Sequence, residues 1–282
     1  MGKLEQIAAG ITRALYVVPG GYFGVQLIKS FFKRKKSKSP WRVFSFRGIR
    51  MKVDTSKSMG AAIYWRGAHD WAPVFAFEKC IKPGDTVIDI GANQGEYSLI
   101  AARKTGNTGK VLAFEPMKSL YGQLQENIAL NKSFEGRITA IPIGLSEQAG
   151  VLDLYGKAGS NEGVNTLYPT AEHTVKIESI QLDTLDQQLQ NLGITKVDVI
   201  KIDVEGAELQ VLKGAQKTLR QYLPTLLLEI NRESCLAAGY SPEEMLEYLE
   251  AFGYRFKKIG LRGNLYPLSG PLPEFCNILA QV

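Results

Sequence analysis

The sequence is poor in cysteine and histidine, the residues that most often bind zinc and other transition metals. It contains three widely spaced cysteines, Cys80, Cys235 and Cys276, and two histidines, His69 and His173. An odd number of scattered cysteines argues against a disulfide scaffold or a zinc site, and indicates a reducing compartment. Two histidines exclude a multi-histidine metal site. We therefore predict no metal centre.

A long hydrophobic run is also missing. The apolar stretch at residues 14–28 covers only 15 residues and is interrupted by Pro19, Gly20 and Gly21, whereas a membrane-spanning helix needs about 20 apolar residues. A secretory signal carries its positive charge before its apolar region, but here the basic run KRKKSK follows it. We therefore expect a cytoplasmic protein without a transmembrane anchor.

The excess positive charge is confined to one end of the chain. Residues 1–40 contain eight lysines and arginines against a single acid, Glu5, a net +7 that leaves the other 242 residues at −1. The favoured interpretation is a helical appendage on the body, followed by a solvated basic linker. Peripheral contact with an anionic membrane surface stays open. A nucleic-acid partner is not expected, because no base-reading motif accompanies the run.

The rest of the chain alternates between strand and helix patterns. Residues 41–54 form two alternating runs about a turn at Arg47 and Gly48, which indicates a hairpin, and residues 60–81 predict helices or a lid. Beyond them, strands are predicted at 86–90, 110–114, 138–143, 197–202, 226–230, 254–259 and 275–282, and helices at 96–104, 118–130, 183–192, 207–222 and 241–253.

This order of elements predicts a fold class and a domain division. We predict an α/β fold with a doubly wound, mostly parallel, seven-stranded sheet whose last strand is antiparallel, preceded by a helical and hairpin extension. Residues 1–40 form the arm and residues 41–282 one domain, with its core at 81–282. An insertion at 150–180 is the expected place for substrate-specific features, and Asn165 and Thr166 in it are candidates for contact with an acceptor.

The first core strand leads into a glycine turn and a helix, in the run DTVIDIGANQGEYS at residues 85–98. Glycines allow a tight turn, and helix N-terminal amides attract anions. A dinucleotide site requires G-x-G-x-x-G, but this turn has G-A-N-Q-G with Asp89 two residues before Gly91. An acid at this place disfavours a pyrophosphate and suits an ammonium group, which S-adenosylmethionine (SAM) has and NAD lacks.

Two further strand ends support a nucleoside ligand. Glu115 ends the second strand, twenty residues after Gly95, where a carboxylate accepts both hydroxyls of a ribose in nucleotide-binding folds. The third strand ends at Gly144, Leu145 and Ser146, where we expect the adenine to lie. A solvated loop acid remains the alternative for Glu115.

Three segments carry a family resemblance. IDIGANQGEYS, FEP and especially VIKIDVEGAELQVLKGA resemble the FkbM-type, class I, Rossmann-like SAM-dependent methyltransferases, which are mostly O-methyltransferases of sugars and small natural products. The likeness covers residues 64–259. It implies SAM as cofactor, with the ribose at Glu115, the adenine at Gly144, Leu145 and Ser146, and the methionine part at Asp89, Gly91, Asn93 and Gly95, with Ser98 counted among the cofactor-binding residues.

Acidic residues cluster at the ends of the fourth and fifth strands. Asp203 and Glu205 are two residues apart, so on a continuing strand they would share a face, and Glu229 ends the neighbouring strand. A carboxylate crowded by others has its pKa raised toward what a general base requires. We take these three as the candidate catalytic residues that accept a proton from, or bind, an acceptor hydroxyl.

Other roles for the acidic cluster stay open. Glu205 or Glu208 could cap the following helix, and hard oxygen ligands would also suit magnesium or calcium. His173 and His69 are less favoured as rival bases.

The function expected from these features is SAM-dependent O-methylation of a hydroxyl on a sugar, glycolipid or small natural product. An NAD-linked oxidoreductase on the same fold and a non-catalytic SAM-binding module are the alternatives.

Overall fold

The structure is a computed structural model that describes residues 3–16, 21–33, 39–156, 165–169 and 173–282. Two helices come first, α1 (Lys3–Tyr16) and α2 (Gly21–Lys33). They are followed by the predicted hairpin of β1 (Trp41–Phe46) and β2 (Ile49–Asp54), which pair antiparallel. The turn between them places Arg47 and Gly48 at positive φ, as a two-residue hairpin loop requires. None of the helices in the described ranges has the length and apolar character needed to cross a bilayer.

Residues 60–81 fold as helices. These are α3 (Ser58–Arg66) and α4 (Trp71–Cys80). The second helix begins at a capping residue, Asp70, whose carboxylate accepts the Ala72 N–H. Ile63, Tyr64 and Phe77 are fully buried, so the pair packs into the core and covers one face of the main sheet.

A mostly parallel sheet of eight strands forms the centre of the molecule. Its strands are β3 (Thr86–Ile90), β4 (Lys110–Phe114), β5 (Ile138–Ile141), β9 (Val199–Ile202), β10 (Thr225–Asn231), β11 (Arg255–Ile259), β12 (Leu265–Pro267) and β13 (Phe275–Gln281).

The order of the strands in this sheet is β12-β11-β13-β10-β9-β3-β4-β5, and the five strands from β10 to β5 are parallel. The last strand, β13, runs antiparallel to β10 and β11, as predicted. The eighth strand is an unpredicted three-residue edge strand, β12.

Both faces of this sheet are covered, so its central strands are buried throughout. All five residues of β3 are buried. Ile88 and Ile90 pack into the core on one face and Val87 into the core on the other, as the two-residue period of a strand demands. The covering and connecting helices are α5 (Glu96–Thr105), α6 (Lys118–Ala129), α7 (Leu185–Asn191), α8 (Glu208–Lys213), α9 (Gln216–Tyr222), α10 (Arg232–Ala237) and α11 (Pro242–Glu250).

The helix predicted at 207–222 is two helices, α8 and α9. They are separated at Gly214, where a Cβ would lie 2.0 Å from the carbonyl oxygen of Ser146. The carbonyl of Gly214 accepts the N–H of Asp186, and this tertiary hydrogen bond accompanies the break. By contrast, α11 has the predicted capping box of Ser241 and Glu244, with both hydrogen bonds made.

The insertion forms a second, three-stranded sheet. Its strands are β6 (Gly144–Leu145), β7 (Gly150–Gly156) and β8 (Val175–Asp183), in the order β6-β8-β7. Leu154, Ile180 and Leu182 from this sheet pack against Met117 and Leu120, which follow β4. The insertion therefore borders the edge of the main sheet at which β4 ends.

Candidate functional site

A cavity of about 690 Å³ opens at the carboxyl ends of β3, β4, β9 and β10. The chain order reverses here, since β4 lies on one side of β3 and β9 on the other. Open α/β sheets bind their ligands at such a switch point, and the volume lies in the range of small-molecule and cofactor sites. Of the residues predicted to form the site, eight line this cavity: Gly91, Asn93, Glu115, Gly144, Leu145, Asp203, Glu205 and Glu229.

The glycine turn brings two strand ends together. Gly91 and Asn93 have positive φ values of 73° and 51°. A Cβ on Gly91 would lie 2.0 Å from the carbonyl oxygen of Asp203, so glycine is required here by the neighbouring strand end. Gly95, also at positive φ, packs against Leu124 and does not line the cavity. The structure thus places Gly95, a predicted cofactor-binding residue, outside the lining of the cavity.

Asp89 lies behind the wall of the cavity. Its side chain is fully buried and accepts the Ser98 hydroxyl at 2.6 Å. Neither Asp89 nor Ser98 lines the cavity, so the structure does not bring these two predicted cofactor-binding residues to the cavity surface. Asp89 pairs with Lys201 of β9, and its carboxylate contacts the Ser98 hydroxyl of α5 and, at 3.3 Å, the Lys201 Nζ.

Lys201 is a residue of the site that sequence reasoning missed. It is buried, lines the cavity, and its Nζ donates to the Gly91 carbonyl at 2.7 Å. The same Nζ lies 3.3 Å from Asp89 and 3.5 Å from Asp203. Burial alone would lower the pKa of Lys201, but the charges of Asp203 and Asp89 outweigh it and raise the pKa. A lone lysine inside the apolar run VDVIKI was the available signal.

Glu115 is held by the backbone of the turn beside it. One carboxylate oxygen accepts the Asn93 N–H at 2.8 Å and the other accepts the Met117 N–H at 2.9 Å. Burial raises the pKa of Glu115 to about 7, although these hydrogen bonds oppose the rise. The carboxylate is thus fixed at the cavity wall, with lone pairs left for hydroxyl donors. It is not a solvated loop acid.

The third strand end contributes an apolar wall. Gly144 and Leu145 line the cavity and Ser146 does not. The Ser146 N–H donates to the Asp183 carbonyl at 2.9 Å, and this predicted adenine contact lies outside the lining of the cavity. The insertion completes this wall, through four leucines and isoleucines that also line the cavity: Leu154, Leu167, Ile180 and Leu182.

The two acceptor candidates of the insertion lie at the same end of the cavity. Asn165 lines it, whereas Thr166 donates its hydroxyl to the Glu205 carbonyl at 3.0 Å. Thr166 thereby ties the insertion to the acidic turn. The rest of the polar loop, at residues 157–164, lies outside the described residues.

Three carboxylates converge opposite this wall. Oxygen atoms of Asp203, Glu205 and Glu229 all lie within 4.8 Å of one another, a spacing that would also admit a cation. The convergence does not come from a continuing strand, because β9 ends at Ile202 and the chain turns through Glu205 at a φ of 52°. The prediction of a shared strand face is therefore replaced by a turn that redirects Glu205.

Glu208 holds this turn in place. Its buried carboxylate accepts the N–H of Val204 at 3.0 Å, the N–H of Gly206 at 3.1 Å and the hydroxyl of Tyr240 at 3.1 Å. Of the two predicted capping candidates, Glu208 therefore fills that structural role. Glu205 lines the cavity instead.

The three carboxylates titrate as a coupled group. Burial raises the pKa of Glu229, and the charges of Asp203 and Glu205 add to the effect. Carboxylates this close share their protons, so the group does not ionise as three independent acids.

Another titratable pair lies across the cavity. Glu96 is buried and accepts the backbone N–H of His69 at 3.0 Å. Burial raises the pKa of Glu96 to about 7. The surrounding wall lowers the pKa of the His69 imidazole, and the charge of Arg66 adds to this. His69 thus stands in the cavity as a neutral base, whereas His173 does not line it.

The fold and this cavity define a nucleoside-binding, doubly wound α/β protein. The family model of the methyltransferase FkbM domain matches residues 89–256, and the chain belongs to the FkbM methyltransferase family. This family uses SAM, so the predicted cofactor is confirmed and the NAD-linked alternative is dropped. Two zones of the cavity suit the nucleoside part of SAM: Glu115 for a ribose diol and the apolar wall for adenine.

Two relatives overlap this region. Methyltransferase sdnD of Sordaria araneosa is 32% identical over 171 residues, which cover 51% of this chain and 65% of that protein. Hexuronic acid methyltransferase AglP of Haloferax volcanii is 28% identical over 165 residues, 58% of this chain and 61% of that protein. The chain thus spans somewhat less than two thirds of each relative's length.

A solved structure titled methyltransferase FkbM, from Methylobacillus flagellatus, aligns with a TM-score of 0.48 at 17% identity. The alignment covers 73% of this chain and 49% of that one.

Proposed function

We propose that the chain transfers a methyl group from SAM to a hydroxyl of a sugar, glycolipid or small natural product. The observation that carries the proposal is the convergence of Asp203, Glu205 and Glu229 in the same cavity as Glu115. One end offers a fixed acceptor for a nucleoside, and the other offers carboxylates for a reacting hydroxyl. The proposed catalytic domain is 41–282, which contains the family match at 89–256.

The cofactor residues divide into two groups. Glu115 accepts the ribose hydroxyls, Gly91 and Asn93 border the methionine part, and Gly144 and Leu145 border the adenine. Asp89, Gly95, Ser98 and Ser146 act one layer further out: Ser98 and Asp89 hold Lys201, which in turn fixes the Gly91 carbonyl.

The proposed chemistry rests on orientation and proton transfer. SAM supplies an electrophilic methyl group. Asp203 or Glu205 accepts the proton of the acceptor hydroxyl, and Glu229 completes the carboxylate group beside them. Holding the two reactants in line accounts for about 7–11 kcal/mol of barrier lowering in favourable cases.

The charge of the site narrows the acceptor class. An acidic wall next to the reacting centre repels an anionic acceptor and tolerates a neutral hydroxyl, because like charges at close range raise the cost of binding. The similarity to AglP, a hexuronic acid methyltransferase, supports a sugar acceptor but not its neutrality, because a hexuronate is anionic; the neutral class rests on the acidic wall alone. We propose a neutral polyol or glycoside as the first acceptor class to screen.

The test is a SAM turnover assay with a panel of neutral glycosides, glycolipids and phenols, read as formation of the demethylated cofactor and the methylated product. We expect turnover with at least one neutral hydroxyl acceptor, lost in Asp203→Asn and retained in the exposed control Glu250→Gln. SAM binding without turnover on any member of the panel would instead favour a non-catalytic SAM-binding module.

A further inference from the structure

The first helix docks on the body through its polar side. Ala9, Thr12 and Arg13 are its buried residues. The Arg13 guanidinium donates to the Tyr64 carbonyl at 2.7 Å, and Glu5 forms an ion pair of 2.7 Å with Arg42 of β1. These contacts fix α1 to the hairpin and to α3.

The opposite side of α1 is apolar and faces outward. Leu4, Ile7, Ile11 and Leu15 are spaced three and four residues apart, so they form one stripe, and each is between 39% and 75% exposed. A surface helix of a globular protein normally turns such a stripe to the core. Here the stripe is left uncovered, which indicates a partner outside the described chain.

The second helix repeats this arrangement. Val25 is buried and Phe32 contacts the Trp65 ring at 5.8 Å, which holds α2 on the body. Phe23, Leu27 and Phe31, four residues apart, lie on the other side and are 62–78% exposed. We call these three residues and the four of α1 the arm face.

The charge of the sequence next to the arm face indicates the kind of partner. Five of the eight cations of residues 1–40 fall within residues 33–38, at the end of α2 and directly after it in the chain, and the single acid, Glu5, is already paired with Arg42. Apolar residues flanked by cations match an anionic lipid surface, where side chains enter the headgroup boundary and basic residues contact lipid phosphates. A second copy of the chain fits poorly, because it would bring another +7 against the first.

We infer that α1 and α2 form a docking surface for an anionic membrane. The arm face enters the interface, and the basic run at residues 33–38 adds electrostatic attraction. Because α1 is fixed to the body through Arg13 and Glu5, docking holds the whole domain at the membrane surface. This inference does not depend on the proposed methyl transfer.

The test is co-sedimentation of the full chain with vesicles of about 30% phosphatidylserine in phosphatidylcholine, against vesicles of phosphatidylcholine alone, in about 0.1 M and about 0.5 M salt. The variant Ile7→Gln, Ile11→Gln, Phe23→Gln, Phe31→Gln removes part of the arm face without touching its buried side. Leu236→Gln, Leu261→Gln is the matched control, because both residues are exposed (58% and 84%) on the body.

We expect the wild-type chain and the control to sediment with the anionic vesicles, more weakly in high salt, and the arm-face variant to lose about tenfold in bound fraction. Unchanged thermal unfolding of the variant shows that it is folded. Equal sedimentation of the variant, or no sedimentation of the wild type, would overturn the inference. A wild-type dimer seen by light scattering, but absent in the arm-face variant, would also overturn the inference, because the arm face would then bind a second copy of the chain.

Discussion

The two ends of the cavity use the same functional group in opposite ways. Glu115 has both oxygens satisfied by backbone N–H donors at 2.8 and 2.9 Å, so its position is fixed before any ligand arrives. Asp203, Glu205 and Glu229 instead crowd one another within 4.8 Å, and this crowding adds to the burial that raises the pKa of Glu229. A satisfied carboxylate is suited to binding, and a crowded group to proton transfer. On this comparison, Glu115 determines the affinity for the cofactor and the three crowded carboxylates determine turnover.

The largest expected effect is on turnover. Asp203→Asn keeps the shape of the acidic end but removes a proton acceptor, so we expect kcat to fall by about 10²–10⁴-fold, the usual contribution of a general base. Steady-state kinetics with the best acceptor measures this. Full turnover in both Asp203→Asn and Glu205→Gln would remove the acidic cluster from the mechanism.

The next largest effect is on the free energy of unfolding. It concerns Lys201, which contacts both Gly91 and Asp203. Lys201→Met leaves the fully buried Asp89 without its cation, and breaking a buried pair in this way costs about 3–5 kcal/mol. Lys196→Met is the matched control, since Lys196 pairs with Asp198 at the surface and such pairs contribute about 0–1 kcal/mol. Denaturant unfolding of both variants measures the difference. Equal losses would mean that Lys201 does not hold the site together.

The smallest effect is a pH dependence of SAM affinity. The pKa of Glu115 is raised to about 7 by burial, and ribose hydroxyls donate to its ionised form. Binding therefore favours the deprotonated state, and affinity should rise by up to about tenfold between about pH 6 and about pH 8. Glu115→Gln should remove this rise.

The control for the pH experiment is Glu96→Gln. Glu96 also lines the cavity and its pKa is likewise about 7. A pH dependence that persists in Glu115→Gln but vanishes in Glu96→Gln would show that Glu96, and not Glu115, is the titrating group.

What the sequence could predict was set by local patterns. The parallel strands, the antiparallel β13 and the capping box at Ser241 follow from periodicity and capping chemistry. The glycine turn, Glu115 and the three acids sit at strand ends, and strand ends of a doubly wound sheet meet at one edge. The position of these residues at one edge of the sheet could therefore be predicted from the sequence alone.

What it could not predict depends on partners distant in the chain. The buried position of Asp89 depends on its pairing with Lys201 of the neighbouring strand, and the sequence of one strand does not show this pairing. The break at Gly214 depends on the approach of Ser146 from another element. The outward direction of the apolar stripe on α1 depends on Arg13 finding the Tyr64 carbonyl. In each case a contact between residues far apart in the chain decided the local structure.

The most direct test of the division between the two ends is calorimetric titration of SAM into Glu115→Gln and Asp203→Asn at the same pH. We predict that Glu115→Gln weakens SAM binding by about tenfold or more, the effect of losing hydrogen bonds to a charged acceptor, while Asp203→Asn binds SAM within about twofold of the wild type. If Asp203→Asn weakened SAM binding as much as Glu115→Gln, the two ends would not have separate roles and the account would be contradicted.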